Sequence, residues 1–273
     1  MFYPIENVRK RTPLVHNITN YVTVNDCANI LLACGASPIM ADDIKEVEEI
    51  TSICNALVIN IGTLNERTIE SMILAGKRAN KLNHPVILDP VGAGASALRT
   101  NTAIRLLEEI NFCVIRGNIS EIKTISQGRG NTRGVDAEVT DSVTEENLTE
   151  TIQFAKQLAS SLHSIIVITG VIDIVAEEAA AYIIRNGHPL MSKITGTGCM
   201  LTSIVGAFAA ANPENILSAV AAAVSLMGLC GELAYEKMLR DQGGTASLRM
   251  HLIDAMSTME EGTFLLKSRI EQR

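Results

Sequence analysis

Three short runs constrain this chain more than anything else in it. VILDP ending at Pro90, CVIRGN ending at Asn118 and IIVITG ending at Gly170 are apolar at almost every position until they close on polar residues or glycine. A strand with one face in water alternates apolar and polar residues, whereas a strand covered by helices on both faces is apolar throughout. Five strands are predicted: Ser37–Met40, Ala56–Gly62, Pro85–Asp89, Phe112–Gly117 and Ser164–Gly170. Amphipathic helical patterns lie around Val24–Ala33, Glu66–Leu82, Ala97–Glu109 and Thr144–Leu162, the first closed by Gly35 as a C-cap. Alternation of this kind implies an α/β fold with a central, mostly parallel sheet between helical layers. After Gly170 the rhythm changes. Asp173–Glu177 and Ala181–Arg185 read as short strands, with an Asn186-Gly187 turn signal, and predict an antiparallel edge. From Thr197 the chain reads as three helices, Thr197–Ala211, Glu214–Lys237 and Leu248–Arg269. No linker or repeat divides the 273 residues, so residues 1–273 are expected to form one domain.

Composition narrows the function. Hydrophobic residues make up 47% and charged residues 19%, which excludes a disordered chain. A net charge of −7 without a Lys/Arg cluster argues against nucleic acid as partner. Aromatics at 3%, with no Trp, leave little for base stacking. The six cysteines form no CxxC pair and the five histidines no zinc spacing, so reduced thiols and no zinc enzyme are expected. MFYPIENVRKRTPL lacks the apolar stretch of a secretory signal, and the charge-free spans Ile194–Pro213 and Ile216–Cys230 read as buried helices rather than membrane segments. A cytoplasmic location follows as an expectation.

The candidate chemistry lies where strands end and one helix begins. Gly196-Thr197-Gly198-Cys199 opens a long apolar helix. Small residues there let backbone N–H groups approach an anion, and the dipole favours it, although a tight turn explains the glycines equally well. Cys199, in the first turn, is a candidate base or nucleophile, against the alternative of a buried structural thiol. Asp89, in DPVGAG after an apolar strand, is a candidate cation ligand or a turn aspartate. In RGNISE, Arg116 can clamp phosphate and Glu121 can reach Mg²⁺, yet Asn118 and Glu121 also have capping-box spacing. Thr169 ends the next strand, facing a nucleotide or forming only a turn. His16-Asn17-Ile18-Thr19-Asn20, with Asn25 beyond it, could line a small-molecule pocket, although capping and Asx-turns explain the Asn and Thr residues equally well. Gln127–Asp141, rich in Gly and Arg, reads as a loop near the nucleotide or as a solvated loop with no role. An acid, an arginine and a glycine-lined helix start are the parts of phosphoryl transfer. No Walker GxxxxGK[ST] is present.

Taken together, PLVHNITNYVTVN, SPIMAD, ILDPVGAG, RGNISEI, RGVDA and ITGTGCM resemble the hydroxyethylthiazole kinase family, from about residue 13 to the C-terminal helix. The resemblance implies a three-layer, ribokinase-like α/β/α fold. It implies phosphorylation of the primary alcohol of 4-methyl-5-(2-hydroxyethyl)thiazole by Mg-ATP in thiamine salvage, in a homotrimer with active sites between subunits. It makes Met40 a substrate contact through its backbone amide, Asn25 a pocket residue, and Gly196 part of the substrate or anion hole. Arg116, Thr169 and Asn118 go to ATP, and Asp89 and Glu121 to the metal and phosphate region. Cys199 stands where most ribokinase-like enzymes have an aspartate base in GxGD, and cysteine there is usual for thiazole kinases. Rival readings are a hydroxymethylpyrimidine kinase or nucleotide-repair dehydratase, which predict Asp at 199. Others are a cysteine hydrolase with His16 or His188 as base, and a nucleotide-sensing binding protein.

Overall fold

The structure, a computed structural model, describes residues 3–128 and 142–273, so most of the Gln127–Asp141 loop lies outside the described residues. The elements in chain order are α1 (Pro4–Arg11), β1 (Leu14–Ile18), α2 (Val24–Cys34), β2 (Ser37–Met40), α3 (Val47–Ile53), β3 (Ala56–Asn60) and α4 (Glu66–Lys81). They continue with β4 (Val86–Asp89), α5 (Ala97–Glu109), β5 (Val114–Asn118), α6 (Ile119–Gln127), α7 (Leu148–Leu162) and β6 (Ile165–Thr169). The last third comprises β7 (Asp173–Ala176), β8 (Ala181–Ile184), α8 (Thr197–Ala211), α9 (Ile216–Arg240), α10 (Thr245–Thr258), α11 (Glu261–Lys267) and β9 (Ile270–Gln272).

The nine strands form one sheet in the order β2-β1-β3-β4-β5-β6-β7-β8-β9. Pairing is parallel from β2 to β6 and antiparallel from β6 to β9. The expected central sheet with an antiparallel edge is therefore present. Two aliphatic cores flank it. Val15, Val58, Ile87, Val114 and Val167 pack with α1, α2, α8, α9 and α10, while Leu57, Ile59, Leu88, Ile115, Ile166 and Ile168 pack with α4 to α7. Successive residues of one strand thus enter opposite cores, which is why the strands are apolar throughout.

Three features differ from the sequence expectation. LVHNI is a strand, β1, because His16 and Asn17 are buried and hydrogen-bonded although they break the apolar run. The last predicted helix is two, α10 and α11, parted at Met259–Glu260, and the chain then closes the sheet as β9. Asn186-Gly187 leads into a 3-10 turn at Pro189–Lys193 rather than a hairpin, and the buried Asn186 side chain accepts from Ser225 Oγ and the Arg269 amide. One helical stretch, Pro213–Arg240, has the length and composition to cross a membrane, and 72% of its most apolar window is buried inside the fold.

The position of α8 sets the site. It lies so close to β3 that a Cβ on Gly206 would come 2.8 Å from Val58 Cγ2 and 3.4 Å from Val15 Cγ1. Overpacking of such a contact costs ~1–3 kcal/mol, only partly offset by helix propensity. Gly206→Leu is expected to lower stability in that range. Urea unfolding followed by circular dichroism checks it, since the chain has no Trp, and an unchanged midpoint would show that α8 does not pack against β3 this tightly.

Candidate active site

Side-chain alternation delivers the site. In each central strand, the residue two beyond the last one packed on the α8 side points to that same side: Asn60 after Val58, Asp89 after Ile87, Arg116 after Val114 and Thr169 after Val167. Asn60 and Asp89 are direct neighbours in the β3–β4 register, as Asn118 and Thr169 are in β5–β6. Polar side chains thus line the carboxyl ends of the parallel strands below the first turn of α8, where α/β sheets bind ligands.

Asp89 is fully buried. Its Oδ2 accepts from Asn60 Nδ2 at 2.9 Å and Thr202 Oγ1 at 2.8 Å. Its Oδ1 has no hydrogen-bond partner and lies 3.6 Å from Arg116 Nη1. Burial pushes the carboxyl above its ordinary range, and the Arg116 charge, then the Thr202 hydroxyl, oppose that. Arg116 Nη2 donates to Thr169 Oγ1 at 2.6 Å, while its buried Nε is unpartnered. The guanidinium also lies against α8, since a Cβ on Gly198 would come 2.7 Å from Nη1. Asp173, whose carboxylate accepts from the Gly170 amide at 2.8 Å, is pushed up to about 7 by burial, with that amide and Arg116 opposing.

Cys199 Sγ receives N–H groups from Asn20 Nδ2 and Asn60 Nδ2, both at 3.3 Å. Gly196 begins α8 in the left-handed region, at φ 86°, with no side-chain cap, so the amides of Thr197, Gly198 and Cys199 start the helix uncapped. A Cβ on Gly196 would come 2.6 Å from Thr23 Cγ2. Glycine is required there on both counts.

Glu121 forms the capping box that its spacing allows. Its Oε2 accepts from the Asn118 amide at 2.9 Å, and Asn118 Oδ1 accepts from the Glu121 amide. Its Oε1 accepts from the Gly92 amide at 2.8 Å. The carboxylate therefore ties the loop after β4 to the start of α6. Gly92, at φ 74°, is held further by Arg99, which donates to Val91 O and Gly62 O.

Met40 ends the edge strand β2 opposite Asn17, and Asn25 is exposed in the first turn of α2. Neither touches the Asp89 cluster through a hydrogen bond given by these side chains; Asn25 instead accepts from Asn29. His16 is buried between Thr51 Oγ1 and Ala41 O, where burial lowers its pKa. His188 accepts the Leu190 amide and stacks on Tyr235 at 3.6 Å. The groups on Cys199 are amides, so the hydrolase reading finds no histidine at its thiol. A cavity of ≈ 700 Å³ lies at the other end of the strands beside Cys113, Ser164 and Pro213, remote from this chemistry.

Sequence reasoning missed Asn60, Thr202 and Arg99. Asn60 carried a usable signal: ALVIN ends on a buried polar residue, as VILD does.

A mixed sheet between two helical layers, with a glycine-started helix over the carboxyl ends of its parallel strands, is the ribokinase-like fold. A model of the hydroxyethylthiazole kinase family matches residues 5–262, and the chain belongs to that family. Among its relatives, the hydroxyethylthiazole kinase of Clostridium acetobutylicum is 61% identical over 256 residues, covering 94% of this chain and 93% of that protein. The solved hydroxyethylthiazole kinase protein of Pyrococcus horikoshii OT3 superposes with a TM-score of 0.87 at 34% identity, covering 99% of this chain and 97% of that one. A Staphylococcus aureus pyridoxal kinase in complex with AMP-PCP shares the fold alone, with a TM-score of 0.55 at 15% identity, over 78% of this chain and 85% of that one.

The pairing of Asp89 with Arg116 gives a stability test. Removing one partner of a buried pair leaves an uncompensated charge costing ~3–5 kcal/mol. Because the Arg116 side chain is 13% exposed, Arg116→Met is expected near the lower end, ~3 kcal/mol, at pH 7.5. The folded-state pKa of Asp89 lies above its unfolded value, so lowering the pH protonates the native carboxyl first and relieves the loss. The deficit should shrink by pH 5.5 in urea titrations, and an equal deficit at both values would refute the pairing.

Proposed function

We propose that this chain transfers the γ-phosphoryl group of ATP to the primary alcohol of 4-methyl-5-(2-hydroxyethyl)thiazole, as a cytoplasmic enzyme of thiamine salvage. The observation that carries the reading is the convergence of Asp89, Arg116, Thr169 and Cys199 beneath the uncapped first turn of α8, in a chain of this family. Six unpaired cysteines agree with a reducing compartment.

The alcohol oxygen attacks the γ-phosphorus in line, the bond from phosphorus to the bridging oxygen of ADP breaks, and the alcohol proton leaves to a base. The amides of Thr197, Gly198 and Cys199 donate to the equatorial oxygens as charge spreads over them. Arg116, with Thr169 holding Nη2, binds phosphate oxygens through its remaining N–H groups. Gly196 keeps backbone against the acceptor, while the Met40 amide and Asn25 line the thiazole side. Cys199, as the thiolate, takes the proton.

The residues suit a divalent cation such as Mg²⁺ through Asp89 Oδ1, a buried oxygen without a hydrogen-bond donor. Glu121 spends both oxygens on main-chain amides, so it would act through water. No cluster of three or more ligating side chains occurs among the described residues. When bound, such an ion would supply charge neutralisation for the transferring phosphoryl group.

The substrate side is bounded by the outermost strand β2 and by α2, beside which Tyr21 and Val22 stand 79% and 57% exposed. A second copy of this chain, in a homotrimer, would cover Met40 and Asn25 and exclude water. Sedimentation that finds a fully active monomer would overturn that part.

Alcohol-dependent release of ADP in a coupled assay tests the activity, and ATP binding without it would leave the nucleotide-sensing reading. A general base contributes ~10²–10⁴-fold, and a thiol belongs at the low end. Cys199→Ala is therefore expected to lower kcat by roughly 10²-fold, and Cys199→Asp to retain or raise turnover. Equal kcat for the alanine variant and the parent removes Cys199 from the base role.

A further inference from the structure

We propose that Asn60 is a positioning residue for the phosphoryl-transfer step: its side-chain amide holds the Cys199 sulfur and the Asp89 carboxylate in one rigid frame. The assignment rests on the kinase reading for its effect on turnover, and on geometry alone for its effect on the thiol.

Asn60 is 1% exposed and every hydrogen-bonding position of its side chain is used. Nδ2 donates one hydrogen to Asp89 Oδ2 at 2.9 Å and the other to Cys199 Sγ at 3.3 Å. Oδ1 accepts from Asn20 Nδ2 at 3.0 Å and from the Gly62 amide at 2.9 Å. Two acceptors on one side and two donors on the other permit a single orientation, because a flipped amide would face N–H against N–H and oxygen against carboxylate. The frame is stiff further out. A Cβ on Gly62 would come 3.0 Å from Asn60 Oδ1 and 2.9 Å from Asn20 Nδ2, so the turn after β3 closes on the pair. Asn20 is itself fixed by Thr23, whose amide and hydroxyl donate to its Oδ1.

Two consequences follow for Cys199. Among the described residues the sulfur is an acceptor, from Asn20 and Asn60, so a thiol hydrogen has no partner among those amides and is left to point elsewhere. When the proton is gone the same two donors remain in place, with no reorganisation required. Asn60 also couples the two halves of the site, since the Asp89 oxygen that receives its amide is the one bound by Thr202 of α8. Asp89 Oδ1 is thereby left to Arg116 and the phosphate side. No motif marks this residue, and its role emerges only from the β3–β4 register and the placement of α8.

The test uses the full chain with Asn60→Ala, Cys199→Ala and the double variant. A hydrogen bond to a charged group is worth ~1.5–3 kcal/mol, so Asn60→Ala should lower kcat by roughly 10- to 100-fold while KM for ATP stays within about threefold. In the Cys199→Ala background the same substitution should cost less than about threefold, because the sulfur is absent and only the hold on Asp89, which keeps Thr202 and Arg116 as partners, is left to lose. A structural role would cost the same in both backgrounds, and equal losses overturn the proposal. Iodoacetamide alkylation of Cys199, followed by mass spectrometry at pH 8, reads the frame without any turnover. The rate should fall about tenfold in Asn60→Ala, and an unchanged rate overturns the proposal even if the chain proves a kinase. A parent without alcohol-dependent ADP release, but with the alkylation difference, would instead fail the kinase reading and keep the frame. Should Asn60→Ala not fold by circular dichroism, Asn60→Ser, which retains a hydroxyl donor, serves in its place, with smaller losses of the same pattern expected and none overturning the proposal.

Discussion

A carboxylate taken wholly out of water must be hydrogen-bonded and paired, or it takes up a proton. Asp89 meets that demand unequally. One oxygen is satisfied by an amide from the neighbouring strand and a hydroxyl from the helix above, while the other faces a guanidinium at 3.6 Å without a hydrogen bond. Much of the surrounding arrangement follows from this imbalance. Thr202 must reach Asp89, so α8 must sit low over β3 and β4, and Gly206 gives it the room. Arg116 must stay near the unsatisfied oxygen, and Thr169 together with a glycine at 198 leaves it a slot. A buried charge left half satisfied is costly in a structural element, and it is serviceable in a site that must receive polyanions and cations in turn.

The sheet made this economical. Parallel strands covered on both faces alternate their side chains between two cores, and one further step of two residues beyond the last buried apolar side chain delivers a polar group to the same side. Asn60, Asp89, Arg116 and Thr169 are four uses of that step on β3 to β6. The chemistry therefore required no special loops for these groups, only polar residues at strand ends. The loops do separate work: Arg99 and Glu121 clamp the turn after β4 through backbone groups, which fixes where the Asp89 strand stops.

This division explains what could be seen in the sequence. The strands VILD, VIRGN and IIVIT, the helix start at Gly196 and the residues Asp89, Arg116, Thr169 and Cys199 were legible because continuous apolar runs give way abruptly to polar residues or glycine. β1 was not, since His16 and Asn17 interrupt LVHNI with side chains whose partners, Thr51, Ala41 and Ser203, come from distant segments. The break between α10 and α11 and the return of β9 to β8 were hidden for a related reason: Met259 is buried although it lies between helices. Spacing allowed Glu121 two roles, and only the Gly92 amide, brought in from the loop after β4, shows how fully its oxygens are engaged. Asn60 was overlooked although ALVIN ends on a polar residue as VILD does, because what that residue holds is set by its neighbours in register and by α8.

The frame around residue 199 also bears on why a thiol suits this site. An aspartate there would find the same two amide donors, but its charge would stand one amide away from the Asp89 carboxylate in a poorly solvated place. Like charges so arranged raise each other's pKa and cost stability. A thiol in its neutral form adds no negative charge beside Asp89 or beneath an incoming triphosphate. It gives up a ready population of the base form for easier coexistence with the buried acid. The Asn20–Asn60 pair then restores part of what the thiol lacks, because donors fixed in advance support the sulfur at the moment it holds charge and need no water to do so. On this view Cys199 and Asn60 belong to one solution: the thiol is workable as a base because the strand beside Asp89 ends in an amide rather than in another acid or an apolar side chain.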